Sequence, residues 1–202
     1  MLTLTHPDGQ VFAFDAGALC LELLVSGGAG ERARYELLHR PADFPRWAAA
    51  GRLDLPGHGI DPAGVRAGPA DLRLVRSLRE AVWSAAVRAV RGERPAADDT
   101  ALINELAAGP APVPRLDPAT GRSTWRTPVT ALQLVGAYAR DAVATFAEPT
   151  IRRLRKCANP VCALHYLDTS RPGQRRWCSM QRCGNRHKVH EYRRREHRGH
   201  EA

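Results

Sequence analysis

The amino-acid sequence predicts a mainly α protein of the α+β class, with a helix-rich N-terminal domain over residues 1–149 that carries short β-hairpins and a small C-terminal module over residues 150–202. Three observations predict it. Apolar residues recur at helical spacing in successive segments of the first part, breaker-rich turns separate short alternating stretches, and charge and cysteine are segregated into the last quarter. With 44% hydrophobic and 25% charged residues among 202, the composition is that of an ordinary globular protein, which excludes collagen, low-complexity disorder and a disulfide miniprotein. No uncharged apolar run approaches the roughly 18 residues of a spanning helix. The start, MLTLTHPDGQ, lacks the basic flank and apolar stretch of a secretory signal. A cytoplasmic protein without a membrane partner is expected.

The opening stretch HPDGQVFAFDAG sets Val11 and Ala13 against Phe12 and Phe14 beside a Pro-Asp-Gly turn, the pattern of a short strand. Asp15 is the expected cap of a first helix carrying Leu19, Leu23 and Leu24, stopped by Gly27-Gly28. A second helix is expected from Ala33 to His39, and a third from Asp43 to Gly51 with Trp47 as its core residue. Pro56, Gly57, Gly59, Pro62, Gly64, Gly68 and Pro69 then mark a loop-rich stretch. Asp71 is the expected cap of the clearest helix, where Leu72, Val75, Leu78, Val82, Ala86 and Ala89 run down one face to Gly92. Arg73, Arg76, Arg79 and Arg88 flank that stripe as a solvated face. Asp98 or Asp99 caps another helix with Leu102, Ile103 and Leu106. The segment VPRLDPATGRSTWRT predicts a hairpin, and Thr127-Pro128 the cap and first residue of a long helix burying Leu132, Val135, Ala139, Val143 and Phe146. This region holds no Gly-rich phosphate loop, nucleophile elbow or metal-spaced histidine pair, and no enzymatic activity is expected of it. Cys20, between leucines, reads as a small buried hydrophobe.

Residues 1–150 carry 16 Arg and 17 Asp plus Glu, whereas the last 52 carry 14 Arg plus Lys and 4 acidic residues, so the whole-chain excess of +9 belongs to the tail. Such asymmetry marks a basic module for a polyanion, nucleic acid above all; on charge alone a solvated basic tail serves equally well. The thiols follow the same division. Cys157 and Cys162 form one C-x4-C pair, and Cys178 and Cys183 form another fifteen residues on. In a chain without a secretory signal, paired thiols at this spacing point to one structural Zn2+ rather than to disulfides.

Asn159-Pro160 makes the first pair a knuckle. Between the pairs, residues 163–169 and 175–178 read as two strands joined by Ser170-Arg171-Pro172-Gly173, and the segment NRHKVHEYRRREHR after Cys183 as a basic helix. Knuckle, hairpin and helix make a treble-clef-like zinc finger. Chelation of the metal is expected to unfold the tail and leave the N-terminal helices intact.

The run R153-L-R-K-C-A-N-P-V-C162, followed by D168-T-S-R171, R175-R-W-C-S-M180 and C183-G-N-R186-H-K188, resembles the CGNR zinc finger of bacterial proteins whose N-terminal half is the ABATE domain. The resemblance implies a stress-responsive transcription regulator with a DNA-binding treble-clef finger and assigns the N-terminal domain no role; the leading reading here makes that domain the sensor of a small-molecule effector or partner. It carries the four cysteines over as metal ligands and gives His165 no such role.

From residue chemistry, Arg171, Arg175, Arg176, Arg182, Arg186, Lys188, Arg193 and Arg194 form a surface for phosphate, with Arg182, Arg186 and Arg193 on one helical face. The planar guanidinium fork suits phosphate and guanine, which favours DNA. Trp177 and Tyr192 are candidates for stacking on bases, which would favour RNA; the competing reading puts Trp177 and Val189 in a small core about the metal. A protein-interaction finger is a further alternative. A metal-dependent nuclease built on His165, Asp168, His187 and His190 is a more remote one. If the site is palindromic a homodimer follows, with residues 71–92 or 127–148 as its surface.

Overall fold

The chain opens on an antiparallel hairpin in which β1 (Leu2–Thr5) sets Leu2 opposite Phe14 and Leu4 opposite Phe12 of β2 (Val11–Phe14). Phe12 and Phe14 point into the core and Val11 into solvent, the alternation expected of a strand with one buried face. The computed structural model describes residues 1–6, 8–54 and 60–199.

α1 (Leu19–Glu22) is a single turn, continued by a 3-10 turn over Leu23–Val25. Asp15 does not cap it; Ala18 does. The Asp15 carboxylate instead accepts from the Gly17 amide at 2.9 Å and pairs with the Arg52 guanidinium. The helix expected over 33–39 is a 3-10 stretch, Gly30–Tyr35, followed by extended backbone. A tertiary partner overrides local propensity there, since Glu36 is drawn to Arg79 and accepts from the Leu38 amide at 2.9 Å. In α2 (Asp43–Ala50) the fully buried aromatic is Phe44, with Trp47 only partly covered. Of the expected loop breakers, Pro56, Gly57 and Gly59 lie outside the described residues; Pro62–Gly64 form a 3-10 turn capped by Asp61.

Three long helices make the centre of the body. α3 (Pro69–Ala89) buries Leu72, Val75, Leu78, Val82 and Ala86 as the periodicity predicts. Its cap is Gly68, and Asp71, one turn inside, accepts from the Gly68 amide at 2.7 Å. α4 (Ala97–Ala108) carries Asp98 and Asp99 in its first turn, where their charge faces the positive end of the helix dipole. β3 (Pro114–Leu116) and β4 (Ser123–Trp125) form the predicted hairpin.

α5 (Ala131–Phe146) starts later than Thr127-Pro128 suggests. Its capping box joins Thr130 and Gln133, with the Gln133 amide donating to Thr130 Oγ1 and the Thr130 amide to Gln133 Oε1. The buried face is Leu134, Val135, Tyr138, Ala139 and Ala142, whereas Leu132 and Val143 are exposed. Gly136 sets this rotation: a Cβ there would lie 2.0 Å from the Pro110 carbonyl oxygen, so only glycine lets the chain leaving α4 approach so closely.

Arg79 departs most from expectation. Its side chain is 3% exposed, donates to Glu36 Oε1 at 2.9 Å and Oε2 at 2.7 Å, and reaches Ser26 O and Oγ at 3.2 Å. Burial would raise the Glu36 pKa, but the Arg79 guanidinium and the Leu38 amide hold it below its ordinary value. With the folded-state pKa lowered, this stabilisation is present above the unfolded carboxylate pKa and is lost as pH falls through the folded one. Removing one partner of a buried pair strands the other, so Arg79→Ala should cost about 3–5 kcal/mol. At roughly 2–4 °C per kcal/mol, a thermal melt should read a fall of about 10 °C. A change under about 2 °C would show that the pair is not structural.

The C-terminal module begins with β5 (Leu154–Lys156), which pairs with β6 (His165–Leu167), Leu154 facing Leu167 and Lys156 facing His165. Residues 175–178 are not the partner strand that the sequence suggests. The Arg175 amide donates instead to Asp168 Oδ2 at 2.8 Å, which takes it out of any ladder. α6 (Asn185–Gly199) closes the chain. Leu154 and Tyr166 join the same buried cluster as α3 and α5, so finger and body share one core. Among the described residues no helix is long and apolar enough to cross a membrane.

Candidate metal centre

The β5–β6 hairpin carries the first thiol pair in its turn, with Cys157 directly after β5 and Cys162 just before β6. Asn159 shapes the knuckle: its carbonyl accepts from the Cys162 amide at 2.9 Å and its Oδ1 from the Val161 amide at 3.3 Å. Cys178 precedes a single π-type turn, Met180–Gly184, which contains Cys183 and leads into α6. The two pairs are tied across the centre. Asn159 Nδ2 donates to Cys183 Sγ at 3.4 Å, and the Cys178 amide to Cys157 Sγ at 3.4 Å.

All four Sγ atoms lie within 4.8 Å of one another, and Cys162 Sγ is 3.8 Å from Cys178 Sγ. A tetrahedron with Zn–S bonds of ~2.3 Å has S···S edges of about 3.8 Å, so the cluster already has the dimensions of a tetrathiolate site. Cys157, Cys178 and Cys183 are buried and Cys162 is partly covered. The thiols are electrically interdependent. Hydrogen bonds from Cys162 and then Cys178 hold Cys157 far below the ordinary thiol pKa, while donating to it pushes the thiols of Cys162 and Cys178 up. Without a cation, one negative charge therefore suppresses the ionisation of its neighbours; a dication at the centre favours the thiolate at every corner.

Beneath the thiols lies a polar cradle that ties finger to body. Asp168, fully buried, accepts at Oδ1 from Ser170 N and Oγ at 3.0 and 2.6 Å, and at Oδ2 from Arg175 N. Burial pushes its pKa up, but these donors win and hold it below the ordinary value. The Arg175 guanidinium lies 4.0 Å above the Tyr166 ring and donates to Asp15 O at 2.8 Å, Trp177 O at 3.0 Å and Cys178 O. One side chain thus binds a carbonyl of the body and two beside the thiols. Nearby, the Leu167 amide donates to Ala16 O at 2.8 Å. Gly17, at φ +77°, lies against the same strand: a Cβ there would be 2.1 Å from Leu167 O. His165 meets Trp83 edge-on at 5.0 Å.

The family model described as "putative stress-induced transcription regulator", ABATE, matches residues 17–149. The chain belongs to this family. The CGNR zinc finger model matches residues 153–196, which encloses all four cysteines of the cluster and the polar cradle below it. No curated protein matches the chain. The matched ABATE segment thus meets the finger at the Gly17–Leu167 approach and the His165–Trp83 contact, while Arg175 and the Leu167 amide bond Asp15 O and Ala16 O just before it.

Of the eight predicted phosphate-binding residues, Arg186 is exposed but paired with Asp8 at 2.6 Å, and the other seven separate into two groups. Arg171, Arg176, Lys188, Arg193 and Arg194 are exposed on the finger, Arg176 lying over the Trp177 ring at 5.2 Å and Arg194 paired with Glu191 at 2.9 Å. Arg175 is committed to backbone carbonyls, and Arg182 is 5% exposed and paired with Asp8, so neither presents a free guanidinium. Arg182 also sits in the π-type turn before α6, which removes it from the helical face expected with Arg186 and Arg193. Trp177 is half-buried and stacks on His187 at 4.8 Å, while Val189, expected in the small core, is half-exposed. His165, Asp168, His187 and His190 do not come together: among the described residues the four cysteines are the one metal-competent group of His, Cys, Asp and Glu. Sequence reading missed the structural roles of Asp168 and of the Asn159 side chain, although D-T-S and N-P-V are each the local pattern of an Asx turn.

Proposed function

We propose that this protein is a DNA-binding transcription regulator whose CGNR finger holds one structural Zn2+ through Cys157, Cys162, Cys178 and Cys183. The observation that carries the reading is a net positive charge confined to the finger, in which Arg171, Arg176, Lys188, Arg193 and Arg194 are exposed while the arginines of the body are balanced by its acidic residues. Four thiolates give zinc a closed shell, which supports a structural ion and a non-enzymatic role. The zinc fixes the turn into α6, and α6 presents arginine forks suited to phosphate and to guanine edges. The ABATE body is the sensor of an effector or partner, in a cytoplasmic regulator of a stress response. Arg175 and the Leu167–Ala16 contact supply a physical route from that body to the finger.

Selection of bound sequences from a random duplex library with the zinc-loaded protein tests this. Enrichment of one motif is expected, and a palindromic motif would report a homodimer. Retention of all sequences alike would overturn the reading of a specific regulator. One observation favours RNA as a second reading: Tyr192, 64% exposed on α6, is free to stack on an unpaired base. Competition between a duplex and a single-stranded RNA of equal length decides between them.

A further inference from the structure

The hairpin that opens the chain lies outside both matched segments, yet it is laid against the π-type turn and first residues of α6. The Ala13 amide donates to Gln181 Oε1 at 3.3 Å, and Gln10 Nε2 to Gln181 O at 3.3 Å. At the tip, Asp8 faces two guanidinium groups. Asp8 Oδ2 accepts from Arg186 Nη2 at 2.6 Å and Arg182 Nη2 at 3.2 Å, while Oδ1 accepts from Arg182 Nη1 at 3.4 Å. Arg182 is held independently by Gln10 Oε1 at 2.7 Å and by the Phe12 ring beneath it at 5.3 Å. Arg182 therefore keeps its place when Asp8 is gone, and Arg186 is released.

We propose that Asp8 is an internal phosphate mimic, occupying the Arg182–Arg186 fork so that the N-terminal hairpin competes with a nucleic-acid backbone for the finger. This deepens the reading of the finger as a nucleic-acid module and rests on it. A carboxylate bridging two guanidiniums uses the same charge-assisted donors that a phosphate oxygen would use. The Arg182 hydrogen bonds, first among the contacts, hold the Asp8 carboxylate far below its ordinary pKa, so it is an anion at every physiological pH. The Arg186 side of the fork is open to displacement, the Asp8 side chain being 37% accessible and that of Arg186 48%, whereas Arg182 at 5% is reached only when the hairpin lifts. Exposed ion pairs contribute little, and a polyanion that also engages Arg171, Arg176 and Lys188 brings many contacts against this one. The protein alone is then partly self-blocked, and any ligand or partner that lifts the hairpin frees the fork.

Asp8→Asn keeps the shape and the Oδ1 acceptor for the Gln10 amide, and removes the charge. Binding of a labelled duplex to full-length, zinc-loaded protein, followed by anisotropy over a salt series, should show about tenfold tighter binding for the variant at ~0.1 M salt. The slope of log affinity against log salt should steepen by about one phosphate contact. In an Arg186→Ala background the gain from Asp8→Asn should vanish, whereas a general charge effect would survive there. If wild type binds duplex and Asp8→Asn binds no tighter, or weaker, Asp8 is only a tie between hairpin and finger and the mimic is wrong. If neither binds duplex at low salt, the nucleic-acid reading falls and the mimic with it.

Discussion

Stripping the metal with a strong chelator should unfold more than the finger. Structural zinc contributes on the order of 10 kcal/mol or more to modules of this kind, and residues 150–199 have little else to hold the two thiol pairs together. Once Cys178 is released, Arg175 loses the carbonyls that aim it at Asp15, and the Leu167 amide leaves Ala16. Tyr166 and Leu154, both in the common core, then expose apolar surface shared with the body. The expected result is loss of the α6 helical signal in circular dichroism together with a body that melts about 10 °C lower, corresponding to roughly 3 kcal/mol at this chain length. Cys178→Ser should reproduce both effects, and thiol-displacement titration should release one zinc per chain. A body whose melting temperature is unmoved by chelation would restore the sequence expectation of an autonomous finger. An unchanged dichroism spectrum in chelator would remove the structural zinc altogether.

What the sequence made legible follows from the range of the forces involved. The C-x4-C pairs are local, because a knuckle needs two thiols about one tight turn, and the four sulfurs duly converge. The stripe from Leu72 to Ala86 is local too, since helical geometry alone puts those residues on one face. Two local expectations failed where an acidic residue had a remote partner. Asp15 bonds Arg52 in place of a helix end, and Glu36 abandons a helix for Arg79. The fate of each arginine was hidden for the same reason. Arg79, Arg175 and Arg182 meet acceptors 43, 160 and 174 residues away, and nothing in their own neighbourhoods distinguishes them from the solvated Arg171 or Arg176. Counting basic residues therefore located the basic face, and only burial sorted those that point outward from those that staple the fold.

Arg171, Arg176 and Lys188 are exposed, and among the described residues none of them makes an ion pair with a carboxylate. Converting all three to Glu changes the charge of the face by six units, takes away about three cations that neutralise phosphates and sets three carboxylates against the backbone. Every phosphate left without its cation lowers the salt slope by ~0.9, so duplex affinity at ~0.1 M salt should fall by about a thousandfold or more with the melting temperature almost unchanged. Arg175→Gln should do the opposite. Its guanidinium spans Asp15 O and Cys178 O under the metal centre, so its loss should lower the melting temperature by several degrees while changing the salt slope little. Undiminished duplex binding by the triple variant would show that the finger's positive face is not where the polyanion sits. A steep loss of slope in Arg175→Gln without destabilisation would return that arginine to the phosphate-binding surface from which its carbonyl partners remove it.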